Sequence, residues 1–420
     1  MKLKILLVSV NHEHPATMHI NYYNSLAEVA DVEFFGPGFS TEQEMEKGVR
    51  RFVEEKGGFD AVICTFPLIM HSIEDVSIRE IYRTNRYFIS SYSINEAIRY
   101  ASDMIKEIEQ MNILKIILFG QDYININEDW ENCLKKLLEK DFYIITWGED
   151  FIPEADESKT IFFGPGLKIN NRFLNLVREY KRKVISIPFE AVICNEFYFE
   201  PLERRTYDWV VPGNMDSNYP NRSKILDKIE SAGYKVFNQF LGRTMPYKSD
   251  REKNECYQYN REVDKFIDSS LKANTPYLKN QLTRENLVQW RENYSVSIRQ
   301  SKVAYADGGN AHTLVQKYME IPARGTLLVA ENVIGLEKMG FVNNENMVVV
   351  DTENVLEISE ELFNNLEKMQ KIAKKGQSLV IEKHTSHHRA KSTVEAVQAI
   401  LKNTFGGSYW ENGNFCVIRN

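Results

Sequence analysis

Short apolar runs recur along the first half of this chain, each followed by an amphipathic helical pattern. No other feature restricts the fold as much. The runs are Leu3–Val10, Val32–Phe35, Ala61–Phe66, Ile113–Phe119, Phe142–Trp147 and Thr160–Phe163. The helical patterns between them are Met18–Val29, Thr41–Glu55, Ile94–Gln110, Glu128–Glu139 and Asn171–Arg182. Near-continuous Val, Ile, Leu and Phe, without polar alternation, predict parallel strands covered on both faces. A βαβα rhythm sustained over about 180 residues implies a doubly wound sheet. Several runs end in turns, as at Phe35-Gly36-Pro37-Gly38, Phe119-Gly120, Trp147-Gly148 and Phe163-Gly164-Pro165-Gly166. Such turns mark strand C-termini, where open α/β sheets build ligand sites.

The rhythm then restarts. Val184–Pro188 is a strand or an extended connector, and Trp209–Val211 opens a second series. That series continues with a helix over Arg222–Ala232 closed by Gly233, then strands at Lys235–Phe240 and Val303–Ala306. A helix over Thr313–Pro322, strands at Thr326–Ala330 and Met347–Val350, and helices over Val355–Ala373 and Arg389–Lys402 complete it. The expected class is therefore α/β, with two Rossmann-like domains facing across a cleft. A chain of 420 residues is too long for one ordinary core, which agrees with two lobes. The boundary falls near 185–205, giving domains over 1–190 and 200–385. A helix over 386–405 follows, and the tail over 406–420 is left unassigned. The segment 242–294 is aromatic-rich with weak periodicity.

Composition narrows the function classes. Hydrophobic residues at 43% and charged residues at 26% exclude large-scale disorder. A net charge of -7 argues against a nucleic-acid partner, which needs a basic face. Five scattered cysteines without a CxxC pair read as reduced thiols, with Cys64 and Cys194 in core positions, and point to the cytoplasm. The opening MKLKILLVSV is too short to span a bilayer and reads as a buried strand. No stretch of about 18 apolar residues occurs, so no transmembrane segment is expected.

Three places carry residues suited to chemistry. In Lys317-Tyr318-Met319-Glu320-Ile321-Pro322-Ala323-Arg324-Gly325, a carboxylate sits one turn before a glycine suited to positive φ at a helix end. Glu320 there is placed to accept two hydrogen bonds from a ribose diol, or is an ordinary solvated helix residue. The loop from Gly213 through Asn214 to Arg222 follows a strand and opens a helix, so its amides and the Arg222 fork suit an anion. The alternative is a surface arginine paired with Asp216. The loop Asp307-Gly308-Gly309-Asn310-Ala311-His312-Thr313 offers amides and an imidazole for a phosphate or a hydroxyl, or is a helix start without a ligand. On the first lobe, Asn11, His12 and His14 follow the first strand, with His19 nearby, and His71 follows the third. They suit a second substrate or a general base, with His12 the first choice. His-x-His beside Glu13 lacks a further ligand cluster, so no metal site is expected. The His384, His387, His388 and Arg389 cluster reads as a polar helix start facing solvent.

The segment Tyr207–His384 resembles the C-terminal domain of group 1 glycosyltransferases, particularly the branch named after spore maturation protein CgeB. The matching stretches are Tyr207-Asp208-Trp209-Val210-Val211-Pro212-Gly213-Asn214, Tyr219-Pro220-Asn221-Arg222, Ser301-Lys302-Val303, Met319–Val329 and Gly335-Leu336-Glu337. Ile187-Pro188-Phe189 and Phe199-Glu200-Pro201 are similar to that family's interdomain crossover. The resemblance implies a GT-B fold, an acceptor-side first domain, a nucleotide-sugar-binding second domain, and a C-terminal helix crossing back to the first. It implies Glu320 on the ribose and a basic residue near the Arg222 junction on the leaving diphosphate. With these go Gly213, Asn214, Gly309, Asn310 and His312 as donor-binding residues. Asn11, His14 and His71 fall to the acceptor side, and His312, Arg222 and His12 to catalysis. Many relatives carry a second glutamate eight positions before the first. Here that position is His312, a departure that bears on the sugar contacts and on the stereochemical course.

The activity implied is metal-independent transfer, hexosyltransferase-like, from a UDP- or GDP-linked sugar to a glycan, protein or cell-surface precursor in glycan biosynthesis. No separate cofactor is expected, because the nucleotide-sugar is a substrate. A nucleotide-sugar 2-epimerase-like isomerase and a catalytically weak nucleotide-sugar-binding assembly protein share the plan. A nicotinamide dehydrogenase is disfavoured by the lack of GxGxxG after the first strand, and a P-loop NTPase by the lack of GKS or GKT. Oligomeric state is left open.

Overall fold

The computed structural model describes residues 2–9, 18–36, 39–65, 103–119, 126, 128–155, 170–193, 196–213, 215, 219–238 and 292–420. The expected strand at Thr160–Phe163 lies outside them, as do Cys194 and nearly all of 242–294.

The first lobe runs β1 (Lys4–Val8), α1 (Met18–Val29), β2 (Asp31–Phe35), α2 (Glu42–Lys47), α3 (Val49–Glu55), β3 (Ala61–Thr65) and α4 (103–109). It continues through β4 (Leu114–Leu118), α5 (Glu128–Glu139), β5 (Phe142–Thr146), α6 (Arg172–Glu179) and β6 (Val184–Ser186). All six strands are parallel, in the order β2-β1-β3-β4-β5-β6. β3 is buried at every position, as its unbroken apolar run requires. On α5, Trp130, Leu134, Leu137 and Leu138 recur at helical spacing and form the buried stripe. The expected helix over 41–55 is two helices. Gly48, at φ +84, ends α2 by donating its N–H to Met45, and Thr41 and Glu44 form a capping box at the start.

The second lobe runs β7 (Tyr207–Val210), α7 (Pro220–Ser231), α8 (292–299), β8 (Ser301–Ala306), α9 (Lys317–Ala323), β9 (Leu327–Ala330) and β10 (Val348–Val349). Its parallel sheet has the order β10-β9-β8-β7, and a parallel bridge from Trp209 to Val236 adds an outer position beyond β7. In chain order this is 2-1-3-4-5, the same order as the first five strands of the first sheet. The lobes are thus two Rossmann-like units in tandem, as the repeated rhythm predicts. Two helices, α10 (Val355–Phe363) and α11 (Leu366–Lys383), replace the single helix expected over 355–373.

The C-terminal residues return to the first lobe. α12 (Ser386–Leu401) packs on α1, where the Tyr22 and Thr393 hydroxyls lie 2.6 Å apart. Ala390, Ala396, Val397 and Ile400 share a core with Ile5, Leu7, Ile63 and Ile185. The tail left unassigned by sequence is an antiparallel hairpin, β11 (Phe405–Glu411) and β12 (Asn414–Arg419). Trp410 donates its indole N–H to the Ser186 carbonyl at 2.7 Å, and Ser186 N–H donates to Ser408 Oγ at 2.8 Å, so the hairpin lies along β6. Its tip reaches the other lobe, where Gly413 N–H donates to Lys338 O at 2.9 Å.

The chain passes between lobes twice at one place. Val192 N–H donates to His384 O at 3.1 Å, and Ser386 N–H donates back to Val192 O at 2.8 Å. Here the solvent-facing expectation is corrected for His384 and Arg389, while His387 and His388 stay part-exposed. His384 is 0% and Arg389 1% exposed. Arg389 donates to the Pro188 and Glu190 carbonyls at 2.7 and 2.8 Å and lies 4.6 Å from the Trp410 ring centre. His384 Nε2 lies 2.7 Å from Met339 O. These polar groups are buried because the crossover carbonyls need donors. The C-terminal sheet edges also meet. A Cβ on Gly335, after β9, would lie 2.2 Å from Phe151 Cδ1, after β5. No helix among the described residues is long and apolar enough to cross a membrane.

Candidate functional site

In a sheet of this order, β7 and β8 flank the point where successive connections turn to opposite sides, and a crevice forms beyond their C-terminal ends. Gly213 follows β7 and Asp307 follows β8. Gly213 holds φ +94, and a Cβ there would lie 2.8 Å from Lys317 Cε, 2.9 Å from Lys317 Nζ and 3.1 Å from Arg222 Nη1. Glycine is needed both for the backbone and for room, and two cationic side chains close over it.

Arg222 is not at the surface, and Asp216, the alternative partner, lies outside the described residues. Arg222 sits on α7, 1% exposed, with Nε donating to Asp307 Oδ1 at 2.7 Å and its guanidinium 3.4 Å from the Tyr219 ring centre. Pro220 at the first turn of α7 fixes the entry that aims Arg222 inward. Burial pushes the Asp307 carboxyl up, while Arg222 and Lys317 pull it down. Asp307 Oδ2 has no hydrogen-bond partner among the described residues. Asp307 thus faces two cationic groups at the sheet edge, with the Glu331 carboxylate also within electrostatic reach.

Glu320 lies on α9, half-buried, and accepts from the Tyr294 hydroxyl on α8 at 2.7 Å. Burial, then the Glu320 charge, raises the Tyr294 phenol well above its ordinary range, so it is a neutral donor. Gln316, one turn earlier, bonds Ala191 N–H at 3.1 Å, which seats this face of the helix against the interlobe crossover. Gly325 ends the element at φ +67, as its position after the helix predicts. Arg324 binds Glu196 at 3.0 Å and Ser295 Oγ at 3.1 Å, tying the same helix to the crossover and to α8.

α9 begins at Lys317, later than the pattern predicts, so Gly309 and Asn310 lie on a 3-10 turn (Gly309–Ala311) and not at a helix start. Their amides therefore do not sit at the dipole end of α9. His312 follows this turn in the left-handed region, with Nδ1 2.7 Å from Glu331 Oε1. Asn214, Asn11, His12, His14 and His71 lie outside the described residues. At the matching edge of the first lobe, Thr65 Oγ1 donates to Ser9 Oγ at 3.1 Å. Among the described residues no group of three His, Cys, Asp or Glu could hold a metal ion.

Sequence reasoning passed over Asp307, Lys317, Tyr294 and Glu331. Two had a usable signal. Asp307 is the first polar residue after an apolar strand, and Lys317 precedes Glu320 by three positions, on one helix face. Tyr294 and Glu331 had none, because their partners come from distant elements.

Residues 277–395 match the family described as glycosyl transferase-like. Asp307, His312, Lys317, Glu320 and Glu331 lie inside the matched segment, while Gly213 and Arg222 precede it. Comparison with curated proteins gave no match. Among solved structures, a sucrose-phosphate synthase from Thermosynechococcus elongatus is 12% identical, with 96% of this chain and 100% of that chain covered, at a TM-score of 0.48. A glycosyltransferase from Rickettsia africae ESF-5 is 14% identical over 96% of this chain and 100% of that one, at 0.48. T4 phage BGT, in complex with its UDP-glucose substrate, is 13% identical over 96% and 99%, at 0.45.

Proposed function

We propose that this chain is a glycosyltransferase, of the CgeB-like branch of group 1, that takes a hexose-like sugar from a UDP- or GDP-linked donor. The acceptor is a glycan, a protein or a cell-surface precursor, and the setting is cytoplasmic. The observation that carries the reading is the pair of cations, Arg222 and Lys317, closing over Gly213 at the second sheet's reversal point. The family match over 277–395 supports it.

The chemistry follows from charge. Breaking the bond between sugar and diphosphate builds negative charge on the leaving phosphate, and fixed cations stabilise that charge without reorganising. Asp307 holds the Arg222 guanidinium in place by accepting from Nε, and Lys317 adds an ammonium from the adjoining helix. These two groups do the work a divalent ion does elsewhere, so metal-independence belongs to the proposal. Glu320 takes the ribose diol alongside Tyr294, and His312 faces the sugar or phosphate. Gly213, Asn214, Gly309 and Asn310 line the donor side. Asn11, His14 and His71 belong to the acceptor side, with His12 as general base. Contact of the two sheet edges near Gly335 and Phe151 excludes water that would hydrolyse the donor.

A thermal-shift screen against UDP-, GDP-, ADP- and dTDP-sugars tests the reading, since a ligand bound only by the folded state raises the melting temperature. One donor should stabilise the protein, with affinity lowered at least about ten-fold in Lys317→Ala or Glu320→Ala and unaffected by EDTA. No shift with any donor, or undiminished affinity in both variants, would refute it. Conversion of the donor without an acceptor would instead identify an isomerase.

A further inference from the structure

Glu331 has no part in the scheme above, yet it is among the most constrained carboxylates in the second lobe. It directly follows β9, at the same sheet edge as Asp307, with its side chain 16% exposed. One oxygen, Oε1, lies 2.7 Å from His312 Nδ1. The other, Oε2, is buried and has no hydrogen-bond partner among the described residues. Its backbone is fixed too, because the Tyr318 hydroxyl donates to Glu331 O at 2.9 Å and Glu331 N–H donates to Ala306 O at 3.0 Å.

His312 is held with similar care. It occupies φ 50, ψ 38, a conformation that non-glycine residues seldom keep without support. Its N–H donates to Gly309 O at 3.1 Å, and its carbonyl accepts from Ile334 N–H at 3.4 Å. The loop behind it is so tight that a Cβ on Gly308 would lie 2.5 Å from both Thr313 N and Thr313 O. The ring remains 37% exposed.

A carboxylate accepts hydrogen bonds and cannot donate them, so the nitrogen facing Glu331 must carry the proton. In the neutral ring that leaves Nε2 as the acceptor. We infer that Glu331 is a positioning residue that fixes this tautomer, so that His312 Nε2 accepts a hydrogen bond from a hydroxyl of the donor's sugar. The inference rests on the donor reading of the preceding subsection. It gives a neutral residue the acceptor role that a carboxylate would otherwise fill. A third carboxylate beside Asp307 and Glu331 would repel an incoming diphosphate, whereas an imidazole does not.

The test has two parts. Nitrogen NMR of the full chain labelled at histidine should show His312 protonated at Nδ1 above pH 8, and the Nε2–H form growing in Glu331→Ala. A wild-type ring protonated at Nε2 would overturn the inference whatever the stability of any variant. Calorimetry then compares the nucleotide-sugar found above with its nucleoside diphosphate. Glu331→Ala should lower the preference for the sugar-bearing ligand over its nucleoside diphosphate about ten-fold. In a His312→Ala background the same change should cost nothing further. An undiminished cost there would mean Glu331 does not act through His312. If no nucleotide binds the wild type, the donor reading and the sugar contact fall together, and the spectrum still decides the tautomer.

Discussion

Gly213 and Gly233 share a backbone conformation, at φ +94 and φ +85, but not their surroundings. A Cβ on Gly213 runs into Lys317 and Arg222, whereas one on Gly233 meets nothing within 4 Å. Alanine at either position should cost about 1 kcal/mol of stability for the left-handed backbone. Only Gly213→Ala should also displace Lys317 and weaken diphosphate binding, by about ten-fold on the scale of one charged hydrogen bond. Denaturation midpoints and calorimetry on the two variants read both quantities, and equal affinities would show that Lys317 does not act from above Gly213. The turn at Gly213 and the helical places of Arg222 and Glu320 were legible because strand, turn and helix follow one another in the sequence around them. That Arg222 would meet Asp307 was not, since the contact depends on how α7 packs against β8.

The start of α12 gathers three imidazoles, of which His384 is fully buried. Burial, with Arg389 beside it, holds His384 well below its ordinary range, and the same causes bring His388 down to about 4. The unfolded chain takes up these protons near pH 6.5 while the folded chain refuses them. Stability is therefore full above pH 6.5 and falls as pH drops below it, by about 1.4 kcal/mol per pH unit for a fully buried ring. His388 is half-buried and contributes less, because solvent screens it. His388→Gln keeps a side chain able to complete the capping box with Thr385 and should flatten the fall between pH 6.5 and pH 4. Urea titrations across that range check it, and parallel slopes for the two proteins would contradict it. An element with strong periodicity, such as α5, was legible with little error. Helix breaks at Gly48 and at Asn364-Asn365 were not, because the flanking helices keep apolar periodicity across them.

At the scale of the molecule, the tandem α/β plan was readable from rhythm alone, whereas the hairpin at the end was not. Its alternation is weak, and its purpose shows only in contacts with β6 and with the Lys338–Gly340 turn. Trp410, 1% exposed, anchors it. Trp410→Ala should cost about 3–5 kcal/mol by removing a large buried ring. It should also uncouple the lobes, so that scanning calorimetry resolves two transitions where the wild type shows one. A single transition at an unchanged midpoint would exclude a fastening role. The return of residues 386–419 to the first lobe bears also on how the protein is made. The apolar face bearing Tyr22, Ile63 and Ile185 is covered by residues synthesised more than 300 positions after Tyr22, as the Tyr22–Thr393 contact shows. While the ribosome is still reading the second lobe, the first waits with that face open, and its core closes only when α12 emerges.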